Sequence, residues 1–210
     1  MSVVSSRLRP ILVVLAVIVA TAWPGGGPRA AGDSPSVVVE RLNESLLAVM
    51  RKAKGLGYFG RFDTLAPALI GAFNFPYMAS VAVGKHWREL DEAQRQRLID
   101  VFGRTSIATF ADRFDGYSGE TFEVVGETPG PRDTVLVRNK LTKSDGETVE
   151  INYLFRQFDG RWRAIDVFLD AKYSELALKR SEYTSVIANK GFDSLIRSLE
   201  EKLAHMAAEG

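Results

Sequence analysis

The hydrophobic period of this 210-residue chain changes twice, and the two changes define the order of its parts. As far as Asp115, apolar residues recur every three or four positions, as they do on one face of a helix. From Thr121 to Asp170 they alternate, as they do in strands, and after Asp170 the helical spacing returns in two amphipathic stretches. This order predicts an α+β fold of N-terminal helices, a sheet and C-terminal covering helices.

Turn signals divide the alternating region into four strands. The segments PGPR, KSDGE and Asp159-Gly160 have the composition of tight turns, so the strands form an antiparallel meander. The predicted strands are 121–127, 134–142, 148–158 and 162–170. The last strand is apolar on both faces and needs helices packed against it. We therefore expect an apolar cavity between the sheet and the helices.

Four helices are expected before the sheet, at 35–54, 61–73, 75–84 and 91–114. Gly55 and Gly57 end the first helix, and Asp63 is a plausible N-cap of the second. Asp91 followed by Gln94 is the pattern of a capping box at the start of the fourth.

The first 32 residues have the layout of an export signal. Arg7 and Arg9 precede an apolar run of about ten residues, which is too short to span the roughly 30 Å of bilayer hydrocarbon. Small residues allow cleavage after Ala22 or after Gly32, and the sequence leaves both open. An uncleaved anchor is the rival interpretation, although the run has no polar face. Residues 33–210 are then predicted to form a single domain.

Composition excludes several classes of protein. There is no cysteine, so disulfides, thiol chemistry and lipoprotein acylation are excluded, and the domain depends on its core for stability. The 27 basic residues less Arg7, Arg9 and Arg29 of the signal leave 24, against 26 acidic ones. A nucleic-acid partner would need a basic surface and is disfavoured.

Candidate catalytic residues are few. His86 and His205 are the only histidines, and neither occurs in a metal-binding pattern, so we predict no metal site and no cofactor. Asp166, Tyr153 and Asn139 fall on neighbouring predicted strands, and a buried Asp with a Tyr is a base and oxyanion donor in some cone-shaped α+β enzymes. A structural role in the sheet is the stronger interpretation, so we predict no catalytic residue and keep an enzyme for small apolar substrates as the alternative.

Large apolar side chains outnumber the catalytic candidates. Most belong to a core, but an exported domain with a one-sided sheet and no catalytic residues favours a cavity for lipid. The residues expected to contact lipid are Phe75, Met78, Val81, Trp87, Phe102, Phe110, Val137, Ile151, Tyr153, Phe155, Trp162, Ile165 and Val167.

Several motifs resemble those of one family, the MlaC or toluene-tolerance family of periplasmic lipid-binding proteins. The resemblance covers about 37–206. The motifs that carry it are Phe73-Asn74-Phe75, Met78, Val83-Gly84-Lys85-His86-Trp87-Arg88, Glu92-Ala93-Gln94-Arg95, Asn152-Tyr153, Trp162-Arg163, Ile165-Asp166-Val167 and Gly191-Phe192-Asp193-Ser194-Leu195-Ile196. Where commoner members have Glu-Gly-Val-Ser-Leu after the last strand, this chain has 170–176, DAKYSEL. That stretch and Lys179-Arg180-Ser181-Glu182-Tyr183 are similar to the hopanoid-associated branch, HpnM.

The resemblance implies a soluble carrier that catalyses no reaction. Such a protein would bind phospholipid or a hopanoid in a pocket between sheet and helices. It would exchange that lipid between an inner-membrane ABC transporter with its MCE-type assembly and an outer-membrane acceptor. A periplasmic adaptor without ligand is the remaining alternative.

Overall fold

The computed structural model describes residues 33–170 and 172–209, and the predicted export signal lies outside these residues. The predicted α+β fold is confirmed. Its elements in chain order are α1 (Pro35–Ala72), α2 (Phe75–Val83), a 3₁₀ turn (Gly84–Arg88), α3 (Glu92–Arg113), β1 (Thr121–Gly130), β2 (Thr134–Thr142), β3 (Thr148–Phe158), β4 (Arg161–Leu169), β5 (Tyr173–Ser174), α4 (Glu175–Lys190) and α5 (Phe192–Glu209).

The first two predicted helices are one bent helix, α1. Only Gly57 leaves helical geometry, with φ 60° and ψ −178°, a conformation that glycine adopts without steric cost. The helix resumes after this residue, so the N-cap predicted at Asp63 is wrong and Pro67 lies in the helix interior. The N-cap is Ser34, whose hydroxyl accepts a hydrogen bond from the Val37 amide at 3.3 Å.

Helix α3 begins as predicted. The Asp91 carboxylate accepts from the Gln94 amide at 2.8 Å, and the Gln94 side chain accepts from the Asp91 amide at 3.0 Å. This capping box satisfies two amide groups of the first turn. Gly103 lies on the buried side of α3, where a methyl group would come within 3.4 Å of the Phe75 ring. Its lack of a side chain allows α2 to approach α3 closely.

The sheet is an antiparallel meander in the order β1-β2-β3-β4-β5. Four strands are predicted and five are present. The extra strand, β5, has two residues, which pair with Phe168 and Leu169. A strand this short has no detectable alternation, which is why the sequence pattern misses it.

A β-bulge at Ile165 changes which residues of β4 face the core. Leu154 pairs with Asp166 and Phe155 pairs with Ala164, so Ile165 has no partner on β3. Residues of β4 on either side of the bulge that simple alternation would assign to one face therefore lie on opposite faces of the sheet. The carbonyl of Ala164 accepts a hydrogen bond from the Asn74 amide at 2.9 Å, which attaches the link between α1 and α2 to the sheet.

The C-terminal helices cover the other elements. Helix α4 contacts β4 and α2, and α5 packs against α3 and α4. Gly191, with φ 83°, separates the two helices. Within the described part of the chain, no helix is both long enough and apolar enough to cross a bilayer.

Candidate functional site

A cavity of about 260 Å³ lies between the sheet and helices α2, α3 and α4. Strands β2, β3 and β4 form its floor. The floor residues are Leu141, Val149, Ile151, Val167 and Leu169. The helical walls consist of Phe73, Phe75, Met78, Ser106, Thr109, Phe110, Arg113, Phe114, Glu175, Leu176 and Lys179.

Strand register brings the floor residues together. Leu141 of β2 is paired with Val149 of β3, and Ile151 of β3 is paired with Leu169 of β4. Directly paired side chains in an antiparallel sheet lie on the same face, about 5 Å apart. The floor is therefore a continuous aliphatic surface three strands wide.

Four phenylalanines form the aromatic part of the wall. The Phe73 and Phe75 rings are parallel, with centroids 5.7 Å apart, and Phe110 meets Phe73 edge-on at 5.9 Å. Phe114 continues the series at 5.9 Å from Phe110. Such pairs add about 0.5 to 1.5 kcal/mol each beyond their buried area, so this wall is expected to be stiff.

Two hydroxyl groups in the wall are turned back into their own helix. Ser106 donates to the carbonyl of Phe102 and Thr109 donates to the carbonyl of Thr105, each at 2.8 Å. This pattern uses the only hydroxyl proton of each residue. Neither hydroxyl is bonded to a base that could activate it as a nucleophile.

Three charged side chains line the cavity: Arg113, at the end of α3, and Glu175 and Lys179, on α4. Burial lowers the pKa of the half-buried Lys179 ammonium, and the nearby Lys202 lowers this pKa further. The cavity is therefore apolar with three charged side chains among its lining residues.

Five of the thirteen predicted lipid contacts line this cavity: Phe75, Met78, Phe110, Ile151 and Val167. The other eight lie elsewhere. Phe102, Val137, Tyr153 and Phe155 are buried in the core, and Val81 and Trp87 are half-buried against it. Trp162 borders a separate surface depression together with Arg161 and Arg163. Ile165 is buried at the bulge, outside the main core cluster.

The sequence pattern contained signals for several lining residues that the prediction omits. Ser106, Thr109 and Arg113 share one helix face with the predicted Phe110, and Val149 alternates with the predicted Ile151. No periodic signal distinguishes Glu175 and Lys179, because the position of α4 over the sheet depends on long-range contacts.

The predicted polar cluster of Asp166, Tyr153 and Asn139 is not formed in the structure. Asp166 accepts hydrogen bonds from the Val167 amide at 2.8 Å, the Ser174 hydroxyl at 2.6 Å and the Leu176 amide at 3.1 Å. Asn139 instead exchanges hydrogen bonds with Asn43 of α1, at 2.8 and 3.4 Å. Asp166 therefore holds the start of α4, and Asn139 joins α1 to the sheet.

The third member, Tyr153, is fully buried, and its hydroxyl has no hydrogen-bond partner among the described residues. Burial raises the pKa of this phenol well above its usual value. A phenol buried in this way stays protonated at neutral pH. It packs edge-on against Phe73, with ring centroids 6.1 Å apart.

Replacing Tyr153 by phenylalanine is expected to leave lipid binding unchanged and to raise the free energy of unfolding by about 1 kcal/mol. The substitution removes a buried hydroxyl that has lost its water without gaining a partner. Urea denaturation measures the difference. Tyr77→Phe is the matched control, because the Tyr77 hydroxyl accepts from Arg156 at 3.3 Å and its removal should be neutral or destabilising. A loss of more than about 1 kcal/mol in Tyr153→Phe would show that the hydroxyl is satisfied.

No metal site is evident in the described ranges, where no group of three or more His, Cys, Asp or Glu side chains is placed to hold an ion. His86 Nδ1 lies 2.8 Å from the Glu89 carboxylate, and the exposed His205 lies 3.2 Å from Glu209. Each histidine has one acidic neighbour, and His86 is buried whereas its partner Glu89 is exposed.

Comparison with known proteins agrees with the α+β fold. The fold matches the structure of a phospholipid-binding protein from Ralstonia solanacearum in complex with a phospholipid, with a TM-score of 0.73 and 19% sequence identity. The match covers 83% of this chain and 99% of that one. A search of curated protein sequences finds no match. The family described as MlaC protein matches residues 40–201, well over half of the chain. The chain therefore belongs to the MlaC family.

Proposed function

We propose that this protein is a periplasmic lipid carrier, exported by its N-terminal signal, that holds the apolar part of a phospholipid in the cavity between the sheet and helices α2, α3 and α4. The observation that carries the proposal is the cavity itself. Its floor and most of its wall are hydrocarbon, and its two hydroxyl groups are bonded to their own helix. A site of this kind is suited to binding the apolar part of a ligand.

The hydrophobic effect is large enough for retention. Each lipid methylene removed from water contributes about 0.8 kcal/mol, so about ten methylenes give roughly 8 kcal/mol before the cost of immobilising the ligand. The cavity volume of about 260 Å³ lies just below the usual range of ligand pockets, about 300 to 1,000 Å³. An acyl chain is flexible and can adapt its conformation to a small pocket.

The proposed ligand is phospholipid, and membership of the MlaC family together with the phospholipid bound to the Ralstonia relative supports this choice. A hopanoid is the second candidate, which rests on the resemblance of 174–183 to the hopanoid-associated branch. In either case the carrier would pass lipid between an inner-membrane ABC transporter assembly and an outer-membrane acceptor.

Protein isolated from the periplasm is expected to retain lipid in a native mass spectrum. The extra mass should correspond to phospholipid, and the mass of the protein itself should place its start after Ala22 or after Gly32. Denaturation and solvent extraction should release the same lipid. Protein that carries no lipid in either measurement would contradict the carrier function, and a hopanoid mass would replace the proposed ligand with the second candidate.

A further inference from the structure

The charges that line the cavity are predominantly basic. Arg113 is the basic residue in the last turn of α3, and Lys179 lies in α4 one helical turn after Glu175. Most of the other lining residues are aromatic or aliphatic, the exceptions being Ser106, Thr109 and Glu175. Arg113 is exposed and Lys179 is half-buried. A cation beside an apolar cavity is costly unless an anion or water compensates its charge.

The surroundings of Lys179 indicate that no protein group fully compensates its charge. Burial lowers its pKa most, followed by the repulsion of Lys202, and Arg113 adds to that repulsion. Glu175 and Glu182 raise this pKa, with effects smaller than that of Lys202 and larger than that of Arg113. Two other cations and two carboxylates therefore surround this ammonium, and neither carboxylate forms an ion pair with it.

Neither Arg113 nor Lys179 has an ion pair within 4.0 Å in the described part of the chain. Other arginines of the same helix are paired, Arg97 with Glu200 at 3.2 Å and Arg104 with Asp100 at 3.6 Å. Arg113 thus differs from these two arginines of α3, and both cations that line the cavity keep their hydrogen-bond donors available.

We propose that Arg113 and Lys179 bind the phosphate group of the lipid whose tails occupy the cavity. A guanidinium can donate two parallel hydrogen bonds to phosphate oxygens, and an ammonium adds a third donor and a compact charge. The ligand class is then a lipid that bears a phosphate, and neutral lipids with the same tails bind more weakly. This inference rests on the proposed carrier function and adds selectivity to it.

The test uses competition between two lipids that differ only in phosphate. Mature protein is incubated with vesicles that contain equal amounts of phosphatidic acid and diacylglycerol with the same acyl chains. The protein is then isolated, and its bound lipids are quantified by mass spectrometry. Wild type is expected to take up phosphatidic acid preferentially. In the double variant Arg113→Gln/Lys179→Gln the preference should fall roughly tenfold, while diacylglycerol is still bound.

A matched control removes the same charge from the same helices away from the cavity. Arg104→Gln/Lys190→Gln has the same net charge as the test variant and therefore the same overall attraction to an anionic vesicle. Its preference should equal that of wild type. An unchanged preference in the Arg113/Lys179 variant would overturn the phosphate site and leave the carrier function intact. Failure of wild type to bind either lipid would overturn both.

Free phosphate is the other source of the same chemistry. Inorganic phosphate lacks the tails that provide most of the binding energy, so at an ionic strength matched with chloride it should leave the lipid preference unchanged. Loss of the preference in phosphate but not in chloride would assign the two cations to the free anion and overturn the headgroup site.

Discussion

Replacing Thr109 by tryptophan is expected to abolish lipid retention while the fold remains intact. Thr109 lines the cavity from α3, and its hydroxyl is bonded only within the helix. An indole at this position would extend over the aliphatic floor and occupy space needed by the acyl chain. If it displaces four methylenes, the loss is about 3 kcal/mol, or roughly a hundredfold in affinity. The measurement is the amount of lipid per protein after incubation with phospholipid vesicles.

Thr64→Trp is the matched control for this substitution. Thr64 has the same chemistry, since its hydroxyl donates to the Gly60 carbonyl of its own helix at 2.6 Å, but it is exposed and lies outside the cavity. The control should retain lipid as wild type does. Both variants should unfold within about 1 kcal/mol of wild type, because the new indole of Thr109→Trp enters space that the core does not fill. Full lipid retention by a folded Thr109→Trp variant would show that the lipid binds elsewhere.

The sequence predicts the middle of the sheet with the bounds that the structure has. Strands β2 and β3 have clear alternation and turn residues at both ends, and local signals of this kind are visible in a single chain. The capping box at Asp91 is local for the same reason. The glycine at position 57 signals a possible break in the helix, but whether the helix stops or continues there depends on packing.

The site was less predictable, because its lining depends on long-range register. The alternation of β4 assigns Ile165 and Val167 to one face, but the bulge places Val167 in the cavity lining and Ile165 outside it. A single sequence carries no signal for that bulge, which exists where the Ala164 carbonyl meets Asn74. The same limit applies to Lys179, which lines the cavity only because α4 folds back over β4.

Polar residues within the sheet show why a buried Asp or Asn is weak support for catalysis. No backbone pair between β2 and β3 is formed at Asn139, whose amide instead donates to the Asn152 side chain at 3.0 Å. Its own side chain bonds to Asn43 of α1. These amides replace missing backbone hydrogen bonds and link α1 to the sheet. Their role is structural, and Asp166 has a comparable role for α4.

Replacing Asp166 by alanine is expected to lower the free energy of unfolding by about 3 kcal/mol, whereas Asp166→Asn should stay within about 1 kcal/mol of wild type at neutral pH. Alanine leaves the amides of Val167 and Leu176 and the Ser174 hydroxyl without an acceptor, and an unsatisfied buried donor costs about 1 to 3 kcal/mol. Asparagine keeps the oxygen that both amides use and can donate to the Ser174 hydroxyl in place of accepting from it. Urea denaturation of the two variants measures the difference.

The pH dependence of the free energy of unfolding, compared between wild type and Asp166→Asn, tests the charge on Asp166. Burial raises the pKa of this carboxyl above its usual value, against the opposing effect of its three hydrogen bonds. A raised folded-state pKa stabilises the fold most below the ordinary pKa, and this contribution is lost as pH rises through the folded-state value. Wild type should therefore lose stability relative to Asp166→Asn as pH rises from the ordinary aspartate pKa of 3.8 through the raised folded-state pKa, since the amide mimics the protonated acid. A gain of wild type over Asp166→Asn across that range would mean that the three hydrogen bonds outweigh burial and that the α4 anchor depends on the ionised carboxylate.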